Sequence, residues 1–150
     1  MPKNQNTPRP PKKQANRAER RAQMLEEGQT KCVWCGREFD ERMVIATTEH
    51  LIPRIKGGPS WAENEVLACR RCNSRRGHRT LTDWHDACKQ EGWSPNTALI
   101  VERLCLLEEA IAHHGGQRKA RPVLRSQLRR LKNILTEEIR VASRSSDALS

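Results

Sequence analysis

Two short cysteine pairs carry the clearest chemical signal in the chain. Cys32-Val-Trp-Cys35 and Cys69-Arg-Arg-Cys72 are CxxC knuckles, and four thiolates arranged in two such pairs suit a closed, tetrahedral structural Zn²⁺ site. Thirty-three residues lie between Cys35 and Cys69, more than the roughly 15–20 of a simple ribbon pattern. An ion held there therefore closes a long insertion. Within it stand Glu49 and His50, then Pro53, Gly57-Gly58 and Asn64, and the second knuckle runs straight into Asn73. A histidine can act as a base near neutral pH, and a carboxylate and two amides nearby could orient it or bind a hard cation.

The elements that must position these groups are legible in outline. Asn16 suits the N-cap of a short helix that Gly28 stops, and residues 16–31 read as that helix and a linker. Residues 32–80, with the turn at Gly57-Gly58-Pro59 and the β-prone run Met43–Thr48, read as a ββα unit. Residues 81–142 read as helical. They comprise Leu81–Glu91, a helix opening at Ser94-Pro95 and closing at Gly115-Gly116, and a last helix from near Pro122. Leu124, Leu128, Leu131, Leu135 and Ile139 share one helical stripe, and Leu99, Leu104, Leu107 and Ile111 form a matching one. An antiparallel helical hairpin follows, with a dimer seam as the rival use of the leucines. Residues 1–15, rich in proline, lysine and arginine, read as a disordered basic tail, and 143–150 as a frayed end.

Composition narrows the partner. The chain has 150 residues, a formal charge of +10, a pI near 9.9, one phenylalanine and no tyrosine. So little aromatic volume leaves the core in need of a staple. The positive charge points to a polyanion, nucleic acid first. No stretch approaches the roughly 20 apolar residues of a membrane span, and the N-terminus lacks a signal-peptide core. A cytoplasmic location is expected, where thiols stay reduced, so Cys88 and Cys105 read as buried free thiols.

The ordered string C-x2-C, [D/E]-H-x-x-P, G-G, N, C-x-x-C-N-x-x-R over residues 32–76 resembles the HNH endonuclease family in its four-cysteine branch. The resemblance implies an α+β fold: a small zinc-stapled ββα-metal (His-Me finger) module with flanking helices. It implies His50 as the general base, Asn64 as the residue that orients it, and Asn73 and Glu49 as ligands of a catalytic Mg²⁺ or Mn²⁺. Glu49 stands where the family usually has aspartate, and His78 is an alternative ligand. The structural zinc would sit on Cys32, Cys35, Cys69 and Cys72. Phosphodiester hydrolysis needs a near-neutral base, an oriented water and a cation over the accumulating charge, which these residue types supply.

Arg70, Arg71, Arg75, Arg76 and Arg79 crowd the second knuckle without an acid among them, and Arg54 and Lys56 flank the Gly-Gly loop. Phosphate contacts are expected of all seven, with duplex DNA as the substrate and RNA as a rival. His85, His113 and His114 read as bystanders. A second reading keeps the zinc fold but denies catalysis, giving a DNA-binding or assembly module. Small HNH proteins with basic tails look like those of bacteriophages, which suggests a terminase or portal partner.

Overall fold

The computed structural model describes residues 14–148. The basic segment 1–13 therefore lies outside the described residues. The order is α1 (Arg17–Glu26), β1 (Ala46–His50), β2 (Glu65–Cys69), α2 (Arg70–Arg76), α3 (Leu81–Gln90), α4 (Thr97–His114) and α5 (Ala120–Asp147). Two single 3₁₀ turns, Arg54–Lys56 and Ala62–Asn64, punctuate the link between the strands.

Asn16 caps α1 through a reciprocal box, its side chain taking the Glu19 amide while Glu19 reaches back. This satisfies two otherwise orphaned donors. Gln14 and Ala15, expected in the tail, are docked instead: Gln14 accepts from the Ala62 amide at 3.1 Å, and the Ala15 carbonyl accepts from Arg20 at 2.6 Å.

β1 and β2 pair antiparallel, from Ala46↔Cys69 at one end to His50↔Glu65 at the other. The strand starts later than the run at Met43 suggested, because the Asp40 side chain takes the amides of Arg42, Met43 and Val44 into a local turn. Such side-chain bonds compete with a ladder. α2 follows β2 directly, so two strands and a helix form a ββα unit between Ala46 and Arg76.

The helical region packs behind this unit. Trp34, beside the first knuckle, meets Trp84 of α3 edge to face with ring centroids 6.3 Å apart, and Leu104, Leu107, Leu124, Leu128 and Leu131 complete the apolar centre. α4 and α5 form the expected hairpin. α4 opens at Asn96 rather than at Ser94-Pro95, since the Asn96 side chain accepts from the Leu99 amide. The leucine stripe of α5 is buried only to Leu131: Leu135 is half-buried and Ile139 is 58% exposed. The helix also continues to Asp147 rather than fraying at 143.

His85, outside the candidate site, has a structural contact. It is buried, with Nε2 2.9 Å from Thr97 Oγ1, which itself donates to Glu138 at 3.0 Å. This clasp ties α3, α4 and α5 together. Cys88 is a buried thiol whose pKa burial pushes up to about 12, and Cys105 is half-buried. No described helix is long and apolar enough to cross a membrane.

Candidate active site and cysteine cluster

The Sγ atoms of Cys32, Cys35, Cys69 and Cys72 lie within 4.8 Å of one another. A tetrahedral zinc with ~2.3 Å bonds needs sulfurs ~3.8 Å apart, and Cys35 and Cys69 stand at 3.9 Å. Local backbone builds each half. Gly36, at φ +75°, closes the first knuckle and donates to the Cys32 carbonyl, while the Cys72 amide donates to Cys69 Sγ at the start of α2. Hydrogen bonding with Cys72 draws the Cys32 thiol down to about 4, while the same contact and burial push Cys72 up. Four sulfurs this close would all be thiolates only around a cation. Arg37 donates to the sulfurs of Cys35 and Cys69 at 3.5 and 3.4 Å, an outer contact of the kind that tunes metal sites. The cluster could hold zinc, and its donors fit that ion.

His50 ends β1. Its Nε2 lies 3.0 Å from Ser60 Oγ and 3.9 Å from the carboxylate of Glu65, its partner across the ladder. Glu65 is fully buried and clamped by Arg20 of α1 at 2.7 and 2.8 Å. Burial lowers the pKa of His50; Glu65 opposes this, and Arg54, Arg17 and Arg20 reinforce it. The ring is therefore neutral at pH 7.

Neighbouring side chains on a strand point to opposite faces, so Glu49 lies away from the imidazole, towards α2. It is 3% exposed, with one oxygen taken by Arg76 at 2.9 Å and the other by the Trp34 indole N–H. Burial raises its pKa against the opposing pull of Arg76. Asn73, one turn before Arg76 on α2, donates to Thr47 Oγ1 at 3.0 Å and to the Thr48 carbonyl at 3.2 Å. Its side-chain oxygen has no hydrogen-bond partner among the described residues. The structure thus gathers Glu49 and Asn73 at the seam between β1 and α2, with His50 on the strand's other face.

Asn64 is fully buried and holds the loop rather than the imidazole. Its side chain takes the Ile52 amide at 2.9 Å and donates to the carbonyls of Ile52 and Pro59 at 3.0 and 2.9 Å. Gly58 packs into the same knot: a Cβ there would lie 1.7 Å from the Ile52 carbonyl oxygen. Gly58→Ala is therefore expected to cost at least about 1–3 kcal/mol, measurable as a lowered denaturant midpoint.

Residues 32–89 match the HNH endonuclease family model. The matched segment carries an HNH module. No curated protein matches the chain. The HNH module contains every candidate zinc, catalytic or phosphate-contacting residue named above, from Cys32 to Arg79. It also contains Trp34, Ser60 and Glu65, which sequence reasoning passed over. Arg20, outside the module, was missed as well.

Among the basic residues of the HNH module one expectation is corrected. Arg76 is 1% exposed and cannot reach a phosphate, because its guanidinium is spent on Glu49 and on the carbonyls of His50, Leu51 and Arg79. Arg54, Arg70, Arg71, Arg75 and Arg79 are exposed and Lys56 is half-buried. Arg71 and Arg75 lie over the Trp93 ring at 5.0 and 5.4 Å, and Arg75 also pairs with Glu91 at 3.0 Å. His78 is exposed beyond α2.

Proposed function

We propose that the HNH module hydrolyses phosphodiester bonds in duplex DNA, with His50 as the general base. The observation that carries this reading is a neutral, half-buried imidazole held from one side. With Nε2–H directed at Ser60 and Glu65, a tautomer assigned from these contacts, Nδ1 keeps its lone pair and has no partner among the described residues. That nitrogen takes the proton as a water oxygen attacks phosphorus, the P–O3′ bond breaks, and the departing 3′ oxygen takes a proton from solvent. Products with 5′-phosphate and 3′-hydroxyl ends are those the family resemblance implies. Zn²⁺ at the four cysteines would be structural, since a closed thiolate site offers no open position.

A catalytic Mg²⁺ or Mn²⁺ would supply positive charge over the scissile phosphate. The donor types at the β1–α2 seam fit such an ion, which favours oxygen ligands and commonly takes one or two carboxylates. Asn73 would offer its unpartnered oxygen, and Glu49 would join by exchanging its contact with Arg76. Supercoiled plasmid titrated with either metal tests this. Asn73→Ala should need at least roughly tenfold more metal for half-maximal cleavage, the order associated with metal-site residues, and should recover as metal is raised. A plasmid cleaved at the wild-type rate by Asn73→Ala in limiting metal would exclude the assignment.

One observation favours the non-catalytic reading. Both carboxylates flanking His50 are paired with buried arginines, Glu49 with Arg76 and Glu65 with Arg20. Plasmid that is retarded on a gel yet stays intact in every metal would establish a DNA-binding module instead.

A further inference from the structure

The longest helix lies outside the HNH module, and its outward face is a row of cations. From Gly115 to Thr136 there is no acidic residue. On α5, Arg121, Arg125, Arg129 and Lys132 are all exposed. At 100° per residue they fall within an arc of about 80° and span ~16 Å of helix axis. None forms an ion pair among the described residues. Glu108 of α4 shares a shallow hollow with Arg121 and Arg125 without bonding to either. Like charges at this spacing repel one another by roughly 0.2–0.5 kcal/mol per pair, and Glu108 lies beside only the first two, so the row is complementary to a polyanion.

The apolar face of α5 is already used. Leu124, Leu128 and Leu131 are buried, and Gln127 accepts from the Thr82 amide and hydroxyl at 3.0 Å each. The basic side chains are thus held out from a rigid support. The row also starts beside the candidate active site. Gly57 packs so closely on Lys119 that a Cβ there would lie 2.8 Å from the Lys119 Cβ. Gly57 ends the turn that carries Arg54 and Lys56, and Ser60 on the same loop touches His50.

We propose that the Arg121–Arg125–Arg129–Lys132 face of α5 is a phosphate-binding ridge that holds the backbone of a nucleic acid duplex whose cleavage point lies at His50. The inference rests on the DNA reading above and adds a second anchoring surface beyond the HNH module. Direct phosphate contacts release counterions, so each lowers the slope of log K against log salt by about 0.9. The ridge gives affinity without sequence preference, since phosphates carry no base information.

The test compares His50→Ala, which leaves the substrate uncut, with the same protein carrying Arg125→Ser, Arg129→Ser and Lys132→Ser, titrated against a 30-base-pair duplex at several salt concentrations. The added substitutions should reduce the salt slope by about 2–3 and weaken binding on the order of 100-fold at 0.1 M salt. Arg125→Lys with Arg129→Lys should preserve both, and unchanged helix content by circular dichroism would separate lost charge from lost structure. Duplex binding with an unaltered slope in the triple variant overturns the ridge while leaving the DNA reading intact. Absence of duplex binding by the parent overturns both. Equal binding to anionic phospholipid vesicles, lost on the same substitutions, would make the ridge a membrane contact and also overturn the proposal.

Discussion

His50→Ala is expected to remain folded and to bind DNA, yet to cleave supercoiled plasmid ~10²–10⁴ times more slowly, the usual share of a general base. The side chain ends β1 outside the apolar core cluster, so its loss leaves that core intact. The pH dependence gives a sharper signature. Burial holds the folded pKa below the ordinary 6.5, so the base form persists through pH 6.5, and the acidic limb of kcat/KM should fall below that value. The same shift makes stability drop as pH falls beneath 6.5, where the unfolded chain binds a proton the folded one refuses. Removing Glu65, whose charge opposes the lowering, should move the limb further down. A wild-type rate in His50→Ala, measured in a preparation free of contaminating nuclease, would defeat the mechanism.

Cys69→Ser is expected to release the metal and collapse the β1–β2–α2 unit in one transition. Structural zinc in small peptides binds with an apparent ~10–16 kcal/mol at neutral pH, comparable with or larger than the whole stability of a typical domain. Cys69 ends β2, pairs with Ala46 through its backbone and accepts the Cys72 amide on its sulfur at the start of α2, so one residue joins three elements. Metal analysis alongside circular dichroism of the purified variant checks this. A folded, metal-free and active Cys69→Ser protein would show that the four cysteines are not the staple.

What could be read from the sequence was whatever depends on short spacing. The knuckles, the Asn16 cap, the α4–α5 hairpin and the two-strand unit all follow from residues within a few positions of one another. What could not be read depends on register and depth. Arg76 looks like its neighbours in a basic run, and only the packing of α2 on β1 turns it inward to Glu49. Glu65 acquires its place beside His50 from the antiparallel pairing, fifteen residues away in sequence. The amide of Asn64 knots the Ile52–Pro59 loop beside Ser60, a contact no local spacing announces. Ile139 keeps the leucine periodicity and is nevertheless exposed, because periodicity marks a face and not where the opposing helix ends.

The strand pair has unequal ends. At Ala46↔Cys69 it is welded to the cysteine cluster, and at His50↔Glu65 it runs out into a loop. A beam fixed at one end deflects most at its tip, and the tip here carries the imidazole. Its stiffness comes from Arg76, which grips the carbonyls of His50 and Leu51 at 2.7 Å each, and from Arg20, which immobilises Glu65. The cysteine cluster thus sets where the lever points, and two buried guanidiniums set how far its end can swing. Loosening either arginine would broaden the excursions of His50 while leaving the four cysteines untouched.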